Sequence, residues 1–421
     1  MKRILLIALA TCSLPLCAQT TLQECRRLAR EHYPAMRQYE LIEKTRELTL
    51  ENASKPWLPQ IIVGAQASWQ SAVATFPEQM TTMLAASGLE LPGIRQDQYQ
   101  ISLNVSQTLW DGGQSKAEKE LAEALSRVDA GSLDVDFYAL EERVDELYFG
   151  ALMLKWRMEQ AEALKSLLQS NLDQVRSMIR GGVAMQSDAD ALEAELLGAE
   201  ENIASLSTAR ENYLQALSLF TGERIEVLHI PEMPSRMEGF VRPELSLLDE
   251  RLDALDLQKR LVKTATMPRF SLYAQGWYGY PGLDMFRSMT SPDWTWNAIV
   301  GVRMTWNVSA FFTQGNSLRK LDVARGQAQV QRDLFKFNTS LQESQQSREL
   351  SYLEEIVSRD ERIAQLRRNV REAAESKYRG GVIGLNDLLK AITDENNAET
   401  SRRGHELELL KTAYQINHNA L

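Results

Sequence analysis

Arg180-Gly181-Gly182-Val183 is followed by Ser187-Asp188, and 199 residues further on Arg379-Gly380-Gly381-Val382 is followed by Asn386-Asp387. Both stretches read R-G-G-V-x-x-x-[S/N]-D. Each lies between long proline-free segments in which apolar residues recur every three or four positions. A cation suits the end of a helix, and a glycine just beyond it adopts the left-handed conformation cheaply. Ser187 and Asn386 are the expected N-caps of the next helices, with Asp188 and Asp387 in their first turns. The pattern is a tight helix–turn–helix, and capping chemistry alone accounts for every residue type in it.

A second pair of landmarks precedes these turns. Leu58-Pro59 opens one strand-like run, and Met267-Pro268 opens another 209 residues later. One match arises easily between helical sequences, but two in the same order mark a duplication. The expected organisation is a leader over residues 1–18, a first repeat over 19–220, a linker over 221–242 and a second repeat over 243–421. Each repeat reads helix, strand, strand, long helix, turn, helix.

In the first repeat a helix is expected over 22–54, ended by Pro56 and Pro59. Residues 60–69 read as a strand. Residues 98–110 form a second, with Tyr99, Ile101, Leu103, Val105 and Leu109 alternating with Gln100, Ser102, Asn104, Ser106 and Thr108. Asp111-Gly112-Gly113 stops it. In the second repeat Phe270, Leu272 and Ala274 lead to Trp277, Tyr278 and Tyr280, and a return run holds Trp294, Trp296, Val300, Val302, Met304 and Trp306. Aromatics bunched at strand ends suit a membrane interface.

Long helices fill the rest, over about 113–179 and 312–378. A helix of that length would run about 100 Å, too far for a compact domain. The shorter segments 22–54 and 187–220 together match the long one. Two short helices stacked end to end beside one long helix would build a tall wall.

The N-terminus begins with Lys2-Arg3 and an apolar run to Leu16, as a secretory signal does. Leu16 stands where lipoprotein processing at Cys17 requires a small residue, so Cys17 is read as part of the leader. Cys25 is then the last cysteine, and no internal disulfide can form. Beyond the leader no apolar run reaches 18 residues, so any passage through a membrane must be made by strands.

Composition excludes several classes. The 421 residues carry a net charge of −10 with no basic cluster, which argues against nucleic acid. No phosphate loop, nucleophile elbow or HExxH occurs, and the four histidines form no metal pattern. Glu141-Glu142 and Glu354-Glu355 read most simply as solvated helix faces, and the 14 methionines are scattered. No catalytic residue, metal or cofactor is expected.

Four strands of about ten residues have the length to cross an outer membrane. Four cannot close a barrel, and an open sheet in lipid leaves backbone groups unpaired at several kcal/mol each. Membrane strands therefore demand oligomerisation, and three copies supply twelve. The alternative is a soluble periplasmic coiled-coil scaffold or adaptor.

From about residue 20 to its end the chain resembles the TolC-like outer membrane efflux proteins. The likeness rests on the twofold repeat, Lys55-Pro56-Trp57-Leu58-Pro59 before the first strand, and Leu109-Trp110-Asp111-Gly112-Gly113 after the second. Trp306-Asn307-Val308-Ser309-Ala310 lacks the Asp-Gly-Gly of the first junction. The resemblance implies a mainly α protein of long antiparallel hairpins forming an α-barrel, with four β-strands per chain in a trimeric twelve-stranded transmembrane barrel. It implies a homotrimer in the outer membrane of a Gram-negative bacterium, in contact with its lipid and reaching into the periplasm. Its implied partners are a periplasmic adaptor and an inner-membrane pump, and its implied function is a passive channel for efflux or secretion. It assigns the adaptor contact to Arg180, Gly181, Gly182 and Val183 and to Arg379, Gly380, Gly381 and Val382. It assigns a pore constriction to Asp387, although Lys390 stands where the family has a second acid, and threefold symmetry would turn Asp188 into an acidic ring as well.

Overall fold

The computed structural model describes residues 20–88, 93–235 and 242–419. The leader with Cys17, and part of the 221–242 linker, lie outside these residues. The chain is mainly helical with one four-stranded sheet. In order the elements are α1 (Leu22–His32), α2 (Arg37–Ser54), β1 (Gln60–Trp69), α3 (Glu78–Ala85), β2 (Asp97–Trp110), α4 (Gln114–Arg180), α5 (Gln186–Thr221), α6 (Pro243–Thr264), β3 (Arg269–Tyr280), α7 (Met285–Thr290), β4 (Thr295–Thr305), α8 (Ala310–Arg379) and α9 (Leu385–Asn419). Among the described residues no helix is long and apolar enough to cross a membrane.

The single helix expected over 22–54 is two helices. Pro34 has no amide hydrogen and pushes the preceding residue out of helical geometry. Tyr33 is accordingly extended (φ −62°, ψ 127°), and a 3-10 turn over Pro34–Met36 separates α1 from α2. By contrast α4 and α8, with 67 and 70 residues, run without a break because neither contains proline.

The chain forms two compact units. One holds the described residues up to Tyr39, those of Gly131–Ser246 and those from Arg332. Here the last turns of α4 and α8 and the first turns of α5 and α9 share one core, with Leu168, Leu172, Val175, Leu192, Leu388 and Ile392 each at most 3% exposed. Arg371 bonds Glu395 of α9 (2.5 Å) and Glu375 of α8 (2.7 Å), while Arg176 of α4 reaches Glu193 of α5 (2.9 Å). Elsewhere in this unit Cys25 is buried among α1 and α4 residues, and burial pushes its thiol up to about 12, so it stays protonated. Arg26 makes a two-pronged contact with Asp145, one arm at 2.7 Å.

The other unit holds Glu40–Ala130 and Leu247–Gln331, including the sheet. Its strands are antiparallel in the order β1-β2-β3-β4, so β1 and β4 are both open edges.

Candidate functional site

The register sorts the sheet into two faces. Ile61, Val63 and Ala65 pair with Val105, Leu103 and Ile101; Ile101 and Val105 pair with Tyr278 and Ala274; and those pair with Trp296 and Val300. Because paired residues share a side, one face is apolar across all four strands. The reverse face pairs Gln66 with Gln100, Ser102 with Trp277, Asn104 with Gln275 and Ser271 with Arg303. The polar face is the shielded one, as on the inner side of a curled sheet. Ser102 is 9% exposed, while its neighbours Ile101 and Leu103 stand at 52% and 47%.

Tryptophans mark both ends of this sheet. Trp57, Trp110 and Trp306 lie at the end where strands meet helices, and Trp69, Trp294 and Trp296 lie at the other. All six are exposed. Nine or ten strand residues between the two sets, tilted by about 45°, span roughly the 25 Å of an outer-membrane apolar band.

At the far end the two strand connections are stitched into one cap. The hydroxyl of Tyr280 donates to the carbonyl of Ser288 (2.9 Å) and accepts from the backbone N–H of Arg95 (2.9 Å). Gly93 donates to the Met289 carbonyl (3.1 Å), and Ile94, Tyr280 and Met289 form a small core. Sequence reasoning missed this cap. Its apolar residues are scattered through loops, where no periodicity reveals partners.

The helix end of β2 shows why Asp111-Gly112-Gly113 has that composition. Gly112 and Gly113 are both left-handed, with φ of 73° and 83°. Gly112 also lies against Met267, whose Cβ would sit 2.5 Å from any Cβ added there. The Asp111 carboxylate accepts from the N–H groups of Gly113 (2.9 Å) and Ser115 (2.7 Å), capping α4. Burial opposes its charge, but the bonds from Ser115 and Gly113 prevail and hold the carboxyl below its usual range. The corresponding junction before α8 works without glycine. Trp306 donates its indole N–H to the Thr266 carbonyl (3.0 Å), and Gln314 donates to the Thr266 hydroxyl (2.9 Å).

The two Arg-Gly-Gly-Val turns have the same backbone. Gly182 and Gly381 are left-handed at φ 75° and 68°. Val183 donates to the Met178 carbonyl (3.0 Å) and Val382 to that of Lys377 (2.9 Å). Gly182 and Gly381 donate to Ile179 and Tyr378 (2.9 Å each). Both are Schellman caps, so Gly181 and Gly380 are helix caps and only the second glycine of each pair needs its special conformation. Val183 and Val382 are each 72% exposed.

The expected N-caps are corrected. Met185 precedes α5 and Gly384 precedes α9, placing Ser187 and Asn386 at the second helical position. The reason is Asp188, whose carboxylate accepts from the backbone N–H of Met185 (3.3 Å) and so caps from the third position. Asp188 and Asp387 do lie in first turns. Asp387 and Lys390 are both exposed on α9. The shared core brings the two hairpins together, and the Tyr378 hydroxyl is raised by burial and then by the charge of Asp188.

A sheet with one apolar face, one polar face and two open edges, in a chain with unbroken helices of 67 and 70 residues, is the arrangement expected of an outer-membrane channel protomer. Residues 26–223 match the family described as outer membrane efflux protein. Comparison with curated proteins gives no significant match. Among solved structures, the outer membrane protein VceC from Vibrio cholerae is similar at a TM-score of 0.70 and 15% identity, covering 94% of each chain. CusC, described in terms of folding and transmembrane channel formation, gives 0.70 and 14% over 96% of this chain and 91% of its own. The open MtrE outer membrane channel of Neisseria gonorrhoeae gives 0.65 and 15% over 94% and 88%. Over residues 26–223 the chain is thus similar to the outer membrane efflux proteins, and its fold is that of the solved outer-membrane channels.

Proposed function

We propose that three copies close into one twelve-stranded barrel by pairing β1 of each with β4 of the next, forming a passive conduit that performs no chemistry of its own. The polar face lines the conduit and the apolar face meets lipid. The observation that carries this reading is the register-matched apolar face. Transferring Ile61, Val63, Ile101, Leu103, Val300 and Val302 from water to lipid is worth on the order of 10 kcal/mol per protomer. On a soluble scaffold so large an apolar patch would drive aggregation.

The helical hairpins, read as a duplication of residues 19–220 and 243–421, extend into the periplasm. There the exposed Val183 and Val382 turns receive a periplasmic adaptor that couples the conduit to an inner-membrane pump. The Schellman caps support this, because they hold both valines outward on rigid turns of like backbone. Threefold repetition makes Asp188 and Asp387 acidic rings that narrow the pore.

The test is the mass of detergent-extracted outer-membrane protein and its migration on gels with and without boiling. A species three times the chain mass of 47.7 kDa, less the leaders, that collapses on heating is expected. A soluble monomer or dimer would overturn the closure of the barrel.

A further inference from the structure

The strands contain only three charged residues: Asp97, Arg269 and Arg303. Asp97 opens β2 at the cap end, shares the parity of the apolar face and is held by Arg95 at 2.7 Å. Both arginines stand on the polar face. Arg269 pairs with Thr305, and Ser271 pairs with Arg303, so the two cations lie at the helix end of the sheet within two strand positions of each other. That separation is about 7 Å along the strand. Both are exposed, and among the described residues neither bonds a carboxylate. Asp111, the acid at this end of β2, is committed to backbone N–H groups. The wall is thus cationic in a protein whose net charge is −10.

Arg303 is positioned rather than loose. Gly301 pairs with Tyr273, and the tyrosine ring lies over it, 3.0 Å from where a Cβ would stand. The missing side chain lets the ring lie along β4, where it supports the Arg303 guanidinium 4.5 Å from the ring centroid. Such stacking leaves the outward N–H donors available to a solute. Trp277 shares this face, with Ser102 opposite it.

We propose that Arg269 and Arg303 form an anion-selecting belt in the barrel, matched to amphipathic organic anions such as aryl carboxylates and sulfonates. This rests on the barrel reading above: three copies place six arginines around one lumen with no acid on the polar face of the strands. A narrow wall with low-dielectric surroundings focuses that field. The anionic group of a solute meets the guanidinium groups, and its apolar part passes over Tyr273 and Trp277.

The test uses the purified oligomer in planar bilayers. It carries Asp188→Asn and Asp387→Asn, so that acids at the helix turns do not set the ion preference. The readout is the Cl⁻/K⁺ permeability ratio under a KCl gradient. A ratio above one is expected, falling at least threefold in Arg269→Gln/Arg303→Gln and kept in Arg303→Lys. Current through the arginine-bearing channel should also be reduced by naphthalenesulfonate, and less so in the double variant. Should the double variant fail to assemble, Arg303→Gln alone should lower the ratio about twofold. A ratio below one with the arginines present, or one unmoved by their removal, overturns the belt and leaves the barrel standing. Absence of both conductance and a heat-labile oligomer overturns the barrel reading and the belt with it.

Discussion

Gly112 and Gly113 are adjacent, both left-handed, and differ in what surrounds them, so alanine at each separates two costs. Nothing lies within 4 Å of a Cβ added at Gly113, whereas at Gly112 the Cβ of Met267 would be 2.5 Å away. A left-handed alanine costs about 1–2 kcal/mol through its own backbone. Gly113→Ala should lose that and little more. At Gly112 the clashing atom is fixed to the backbone and cannot rotate away, which adds about 1–3 kcal/mol of overpacking. Met267→Gly removes the obstacle, so in that background Gly112→Ala should cost only what Gly113→Ala costs. Urea unfolding of the detergent-solubilised protein, followed by tryptophan fluorescence, measures all four differences. Equal losses for the two alanines in the wild-type background, or no relief from Met267→Gly, would refute the claim that Met267 dictates glycine at this junction.

Asp145→Asn should strip the half-buried Arg26 of its counter-charge and cost about 1–3 kcal/mol in the same unfolding assay, while Arg26→Met/Asp145→Leu should lie near the parent. His418 is 9% exposed, and burial, then Arg26 and Arg242, lower its pKa to about 4. Its neutral form therefore stabilises the fold fully above the unfolded value of about 6.5, and that contribution is lost as pH falls toward 4, on the order of 3 kcal/mol. Glu141 and Asp145, raised by burial, titrate in the opposite sense, so the measurement is the difference between the parent and His418→Gln across pH 7 to 4. Asp387→Asn should raise the conductance of the resting channel in a planar bilayer, and an unchanged conductance would count against an acidic ring. Val183→Asp with Val382→Asp should abolish export of a dye from cells while leaving the heat-labile oligomer intact.

What could be read in the sequence was whatever local chemistry determines. Residues 60–69 were legible as a strand because alternation has period two, and β1 is Gln60–Trp69. The long helices were legible because no proline interrupts them. The turns were legible because only glycine is cheap at positive φ, and one glycine of each pair has it. Failures arose where two local rules compete or where the partner is remote. Ser187 is a better N-cap than Met185 by type, yet Asp188 reaches back to the Met185 N–H and moves the helix start upstream. The apolar spacing of residues 22–54 suggests one helix, although the missing amide of Pro34 breaks it.

The inner face of the sheet shows the limit most clearly. Alternation divides each strand into two sides but does not say which sides coincide, because a slip of one residue between strands would exchange them. Arg303 reads in sequence as a charge amid Val302 and Met304, and Gly301 as a weak point in a strand. Once Tyr273 is opposite Gly301 and Ser271 opposite Arg303, the glycine becomes room for a ring and the ring a support for the cation. Selectivity in such a wall is therefore a property of register, and a glycine two residues away determines how an arginine is presented. Gly301→Val tests this dependence. It preserves every charge and the strand's propensity, yet should displace Tyr273 and lower the Cl⁻/K⁺ ratio toward that of Arg303→Gln. A ratio equal to the parent's would mean the arginine acts as a free charge, with no need of the ring beneath it.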